Sequence, residues 1–186
     1  MAGRSGERPR GLLEFFIAAG RLKGERRRGW VVKLGVGDAE SVADHSYRTA
    51  LLAMVYGDLG GLDTEKVVKM ALIHDLPEAL VGDSMPGERT ASKKLALESS
   101  AMKRILRSLP RGQREEYWRI WLEFSRGRSR EARLVRQVDK LEMAVQASEY
   151  ARSRGSPGLG EFFETARAAI ADPGLRGLLE LAEAGL

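Results

Sequence analysis

The sequence predicts an all-α protein. Apolar residues recur at helical spacing along almost the whole chain. No segment alternates polar and apolar residues in the manner of a half-buried strand. The breaks between periodic segments carry helix-capping residues. No internal repeat or low-complexity tract interrupts this pattern.

A first helix is expected over residues 11–22, where Leu12, Leu13, Phe15, Phe16, Ile17 and Leu22 supply an apolar stripe. Residues 24–40 are basic and contain glycine, and read as a long loop. Ser41-Val42-Ala43-Asp44 has the form of a capping box, so a second helix starts there and runs through Tyr56. Its second half, residues 50–56, is apolar on every side and is expected to be buried all round. Residues 57–61 break the chain, and Asp63 caps a third helix over residues 64–80, with Val67, Met70, Ala71 and His74 on one stripe. Residues 82–90 hold Pro86 and two glycines and read as a second loop. A charged amphipathic helix over residues 91–109 ends at Pro110. Residues 113–124 form an aromatic helix carrying Tyr117, Trp118, Ile120, Trp121 and Leu122. A long helix over residues 131–151 follows, then two closing helices over 161–171 and 173–184. Asp172-Pro173 fits an N-cap followed by proline at the first helical position.

A chain of 186 residues is long enough for one domain with a real core, and residues 1–186 are expected to form it. There is no cysteine, which excludes a disulfide framework, a thiolate metal site and a catalytic thiol. There is no asparagine, and glutamine occurs only at positions 113, 137 and 146. Few thermolabile residues and many charges point to a thermophilic source, or to a GC-rich genome that favours arginine. The net charge is +5, and the densest basic run is residues 21–33. Such a run is ordinarily a solvated surface, although arginine also grips phosphate bidentately. The marks of a nucleic-acid module, finger spacing or an aromatic ribonucleoprotein motif, are lacking. No run of 18 apolar residues occurs, so no membrane span is expected. Residues 1–10 are polar rather than an apolar signal core, and a cytoplasmic location is expected.

His45 and His74 are the only histidines, and both lie in segments that read as apolar helices. A lone histidine on an apolar stripe is ordinarily a satisfied core residue. Asp75 changes that reading, because neighbouring helical residues point about 100° apart and can reach one ion lying between them. Glu78 follows one turn later, placed to take a proton from water. Asp139 lies between Val135 and Met143 on a partly apolar face, where a carboxylate is costly unless paired or metal-bound. Its ordinary partner would be Lys140 or a nearby arginine. Imidazole and carboxylate together are the usual ligand set of a hydrolytic divalent metal. The set His45, His74, Asp75 and Asp139 therefore suggests one divalent transition ion per chain, of the Mn, Co, Fe, Ni or Zn kind.

Three strings carry a resemblance: Ser41-Val42-Ala43-Asp44-His45-Ser46, then His74-Asp75-Leu76-Pro77-Glu78-Ala79-Leu80-Val81-Gly82-Asp83, then Gln137-Val138-Asp139-Lys140-Leu141-Glu142-Met143. They resemble the HD-domain metal phosphohydrolases, most closely the 5′-deoxynucleotidases, from the first helix to about Phe163. The resemblance implies an all-α HD bundle with the metal site between central helices. It implies a homodimer that removes phosphate from deoxyribonucleoside 5′-monophosphates. It implies that His45, His74, Asp75 and Asp139 ligate the metal, that Glu78 orients or deprotonates the attacking water, and that Asp83 holds the deoxyribose. Members also use an arginine and a tryptophan before the first histidine for phosphate and sugar. Here that region is Arg27-Arg28-Gly29-Trp30, which selects Arg27 with Trp30 and leaves Arg28 as the alternative. Trp30 would offer a flat wall to a sugar or base, or simply pack at a junction between loop and core.

The two histidines leave none for a second metal, so dinuclear relatives that hydrolyse cyclic dinucleotides are disfavoured. Guanosine tetraphosphate hydrolases normally carry an acidic pair after His-Asp, where this chain has Leu76-Pro77-Glu78. Two other readings stand beside the nucleotidase. One is an HD phosphohydrolase acting on a different nucleotide or phosphoester. The other is a basic nucleic-acid-binding protein with a degenerate metal site, which would bind in a salt-sensitive way without releasing phosphate.

Overall fold

A computed structural model describes residues 7–154 and 158–185. Among these residues the regular structure is helical, and the sole extended pairing is one antiparallel bridge between Arg26 and Ser41. The helices are α1 Glu7–Gly20, α2 Arg28–Leu34, α3 Val42–Leu59, α4 Thr64–Ile73, α5 Glu78–Val81, α6 Ala91–Leu106, α7 Arg111–Arg126, α8 Arg130–Arg154, α9 Gly160–Ala169 and α10 Pro173–Glu183. A single 3-10 turn, Arg21–Lys23, follows α1.

At the centre α3, α4 and α8 pack against one another. α7 lies against α4 and α8, while α9 and α10 pack on α8 as well. α8 is the longest element at 25 residues. No glycine or proline interrupts it, and Ala132, Val135, Val138, Leu141 and Ala144 line its buried face at helical spacing. The capping box of α3 forms as the sequence predicts: Asp44 N–H donates to Ser41 Oγ at 3.1 Å, and Ser41 N–H donates to Asp44 Oδ2 at 2.9 Å. Asp63 and Asp172 cap α4 and α10 in the same manner, at 3.0 Å each.

Several elements depart from expectation. The stretch 24–40, read as a loop, contains α2. That helix forms because Trp30 is buried beneath it, a contact between distant segments that local composition does not record. The first helix starts at Glu7 and ends at Gly20, displaced towards the N-terminus from the expected 11–22. α3 runs through Gly57 to Leu59. Here glycine serves close packing: a Cβ at position 57 would meet Thr64 Oγ1 at 3.2 Å and Val67 Cγ1 at 3.5 Å, so α3 and α4 approach through the missing side chain.

The second half of α3 is not enclosed on all sides. Tyr47, Leu51, Val55 and Leu59 follow one another every four residues and are 65%, 41%, 50% and 76% exposed. The opposite face, with Thr49, Ala50 and Ala53, is the buried one. Hydrophobicity alone misleads here, because the small residues pack and the large ones stay open.

The third helix does not continue to Leu80. It stops at Ile73, and residues 74–77 turn before α5 begins. Pro77 has no N–H to give the Ile73 carbonyl, which instead accepts from Leu76 N–H at 3.2 Å in a tighter i→i+3 bond. The remaining helix ends differ from expectation by a few residues, as fraying ends do.

Candidate metal centre

Each site side chain is placed by an identifiable local cause. The capping box fixes the start of α3, and His45 lies in the first turn after it. His74 is the C-cap of α4, and its carbonyl accepts the Trp121 indole N–H at 3.1 Å, which ties the turn to α7. Asp75 sits in the turn that Pro77 forces, and Glu78 opens α5. Asp139 projects from the middle of α8. Residues far apart in sequence thereby meet where α3, α4 and α8 converge.

The distances show how closely they meet. Asp75 Oδ2 lies 3.1 Å from His74 Nε2 and 3.8 Å from His45 Nε2. Asp139 Oδ1 lies 3.2 Å from His45 Nε2, and the two imidazole rings are 5.5 Å apart. His45, His74 and Asp139 offer buried ligand atoms that all lie within 4.8 Å of one another. Both Nδ1 atoms are engaged elsewhere. His74 Nδ1 donates to the Ala71 carbonyl at 2.6 Å, and His45 Nδ1 meets Glu142 Oε2. With Nδ1 protonated, each Nε2 lone pair faces the carboxylates. Both Nε2 atoms are buried without a hydrogen-bond partner. A buried polar atom left unsatisfied costs roughly 1–3 kcal/mol, which a divalent cation here would remove. Two imidazoles and two carboxylates fit such an ion.

The electrostatics of the centre follow from burial set against neighbours. Burial and Arg27 oppose charge on His45, but Glu142 and Asp139 outweigh them and push its imidazole up to about 9. Burial likewise opposes the Asp75 carboxylate, yet His74, His45 and Arg27 hold it below the usual range. Asp139 is held well below its ordinary value, since Lys140, His45 and His74 overcome its burial. The salt bridge from Lys140 Nζ to Asp139 Oδ2 is 2.9 Å, so the ordinary partner foreseen for this aspartate is present and takes the oxygen not facing His45. Glu78 behaves oppositely. Burial first, then Asp75 and Asp83, pushes its carboxyl well above the usual range, and its Oε2 is buried without a partner.

Arg27 brings a cation to the rim, with Nη1 3.4 Å from Asp75 Oδ2. Main-chain bonds clip this segment in place: Arg27 N–H donates to the Glu40 carbonyl at 3.1 Å, and Val42 N–H donates to the Glu25 carbonyl at 2.9 Å. The Arg28 side chain turns away to Glu88, with Nη2 2.9 Å from Oε1. Gly82, at φ +74°, ends α5 in a conformation that favours glycine and turns the chain into Asp83. Asp83 Oδ2 accepts the backbone N–H of Arg28 at 2.6 Å, and Asp83 N–H donates to Glu25 Oε1 at 3.1 Å. Trp30 is not the open wall that the sequence suggests. It is 1% exposed, stacks on Phe162 with ring centroids 4.2 Å apart, and donates its indole N–H to Glu40 at 2.9 Å. The indole is therefore core packing that anchors α2 beneath Arg27.

The family model of the HD domain matches residues 19–172. The chain belongs to the HD-domain family. It is 40% identical to the human 5′-deoxynucleotidase HDDC2 over 163 residues, covering 87% of this chain and 79% of that protein. It is 38% identical to the zebrafish (Danio rerio) 5′-deoxynucleotidase HDDC2 over 171 residues, covering 91% and 84%. Among solved structures it resembles a conserved hypothetical protein from Pyrococcus furiosus, with a TM-score of 0.73, 36% identity, and coverage of 92% and 98%.

Around the HD histidines and aspartates lie residues that sequence reasoning did not assign. Glu142, fully buried, holds His45 from behind, and Arg48 holds Glu142. Glu40 sits beside them, pushed up to about 7 by burial and by Glu142. Glu40, His45 and Glu142 form a second close acidic group, but Glu142 already takes His45 Nδ1 and Glu40 accepts from Trp30. It therefore supports the HD site from behind. Lys94 on α6 adds positive charge that is felt at Glu78. The spacing of Asp139 and Glu142, one helical turn on α8, was a legible signal for Glu142. Nothing local singled out Arg48 or Lys94.

Proposed function

We infer that this HD protein is a metal-dependent 5′-deoxynucleotidase that removes the 5′-phosphate from deoxyribonucleoside 5′-monophosphates. One observation carries the reading. Two buried imidazole nitrogens without a hydrogen-bond donor or acceptor partner face two carboxylates, in a chain 40% identical to a 5′-deoxynucleotidase. His45, His74, Asp75 and Asp139 would hold one divalent transition ion of the Mn, Co, Fe, Ni or Zn kind. When bound, that ion lowers the pKa of water and neutralises charge on phosphoryl oxygens.

The protein's own groups supply the rest. Glu78 takes the proton of the attacking water; burial and its acidic neighbours Asp75 and Asp83 raise its affinity for that proton. Water oxygen bonds to phosphorus as the bond from phosphorus to the 5′-oxygen breaks, and the proton held by Glu78 passes through solvent to the departing 5′-oxygen, leaving deoxynucleoside and inorganic phosphate. Arg27 neutralises the remaining phosphoryl oxygens, a role favoured over Arg28 because Arg28 is paired with Glu88. Asp83 holds the deoxyribose. Unaided hydrolysis of phosphate monoesters is extremely slow, so each of these groups has work to do.

A second reading is a phosphohydrolase with broader nucleotide scope. The burial of Trp30 favours it, since one of the two sugar contacts implied by the resemblance is absent from the surface. A phosphate-release assay with Mn²⁺ or Co²⁺ separates the two. The nucleotidase should act on deoxyadenylate much faster than on adenylate; equal rates would remove the deoxy selectivity and keep the phosphatase.

We propose further that residues 1–186 act as one HD domain in a cytoplasmic homodimer from a thermophilic source. The open stripe Tyr47, Leu51, Val55 and Leu59 on α3 supports pairing with a second copy. Among the described residues no helix is long and apolar enough to cross a membrane.

A further inference from the structure

His45 and His74 turn the same nitrogen towards the site, but different chemistry holds them from behind. His74 Nδ1 donates to a neutral acceptor, the Ala71 carbonyl, at 2.6 Å. His45 Nδ1 meets a carboxylate oxygen of Glu142, and both side chains are 0% exposed. Glu142 is itself fixed. Its Oε1 accepts from Arg48 Nε at 2.9 Å and lies 2.8 Å from Arg48 Nη2. The same guanidinium donates to Gln146 and Glu149 at 2.7 Å each, so Arg48 on α3 is spread across one face of α8. Asp139 and Glu142 share a face of that helix. One helix thereby sets Asp139 Oδ1 3.2 Å from Nε2 and Glu142 against Nδ1 of a single ring.

We propose that Glu142, oriented by Arg48, is a positioning residue for the metal site: it keeps the His45 proton on Nδ1 and commits the Nε2 lone pair to the cation. The proposal rests on the metal reading above and assigns a task to a side chain that touches neither ion nor substrate. The alternative tautomer is costly on both sides of the ring. A proton on Nε2 would point at the cation site, and the buried Glu142 oxygen would lose its donor. A carboxylate partner also draws on the Nδ1 proton more strongly than a carbonyl does, which makes the opposite nitrogen a better donor. His45 is accordingly the stronger of the two imidazole ligands.

The chain contains only two histidines, so each imidazole can be resolved in ¹H–¹⁵N spectra of the Zn²⁺-loaded protein. In the wild type the His45 Nδ1 proton should resonate at lower field than that of His74. Glu142→Gln keeps the volume and an acceptor oxygen but removes the charge. It should move that resonance towards the His74 position and weaken Zn²⁺ retention in chelator competition by about 10- to 100-fold. An unmoved resonance with wild-type Zn²⁺ affinity would overturn the proposal, reducing Glu142 to an ion-pair partner of Arg48 and leaving the metal reading intact. A wild type that fails to bind Zn²⁺ overturns both. If Glu142→Gln does not fold, the wild-type spectrum decides alone. Zinc on Nε2 with a low-field Nδ1 proton supports the proposal, and zinc on Nδ1 with the proton on Nε2 overturns it.

Discussion

The guanidinium of Arg27 and His74 Nε2 converge on one oxygen: Asp75 Oδ2 lies 3.4 Å from Arg27 Nη1 and 3.1 Å from the imidazole nitrogen. Cationic rim and candidate metal site are thus joined through a single carboxylate. Arg27→Ala should lower kcat/KM by roughly 100-fold, the scale of losing one charge-stabilising donor in a buried site. Arg28→Ala should change it little, because that side chain is committed to Glu88. Steady-state kinetics on deoxyadenylate checks both, and a larger loss at Arg28 would reverse the assignment.

Glu78→Ala should retain metal but lose about 10²- to 10⁴-fold in turnover, the range for removing a general base. Metal content by mass spectrometry, measured beside kcat, distinguishes base from ligand. Loss of the ion on substitution would make Glu78 a ligand.

Glu78 also carries a pH signature in the metal-free protein. Its folded-state pKa is raised by burial, so the native state binds its proton more tightly than the unfolded chain does. The stability that this proton contributes is complete below the ordinary glutamate pKa and is lost as pH rises through the higher folded value. Glu78→Gln, neutral at every pH, should therefore melt above the wild type near pH 7–8, with a gap that closes towards about pH 4. Thermal melts across that range test the sign; a gap that widens in acid would contradict it.

Asp139→Ala removes a carboxylate oxygen 3.2 Å from His45 Nε2 and leaves Lys140 without its 2.9 Å partner. Metal retention should fall at least as far as the roughly 10- to 100-fold typical of losing a supporting residue. Chelator competition measures it, and wild-type affinity in this variant would exclude Asp139 as a ligand.

The pair Leu51→Glu and Val55→Glu places like charges on the open stripe of α3. Sedimentation should show the wild type as a dimer and the variant as a monomer. A wild-type monomer would refute the homodimer.

Most of the helical pattern is legible because α4, α6, α7 and α8 each show the apolar spacing of one buried face, and all but the C-terminal end of α4 fall within a few residues of the expected bounds. The clustering of His45, His74, Asp75 and Asp139 was legible because the chain spends its only imidazoles on apolar helices. What escaped depended on contacts between distant segments. α2 looked like a loop because its stability comes from Trp30 against Phe162, more than a hundred residues away. Arg48 reached the site only once α3 was laid on α8. The open face of α3 is not legible in the sequence, because hydrophobicity does not say which side a neighbouring helix will occupy.

Gly57 lies 12 positions beyond His45, so about 18 Å of rigid rod separates the pinch between α3 and α4 from the imidazoles. The helices run in opposite directions, so His45 at the start of α3 and His74 at the end of α4 share the end remote from that pinch. A valine at position 57 would press on Thr64 and Val67 and shift how one helix lies on the other. The spacing of the candidate ligands would then be altered from a position that never comes near them.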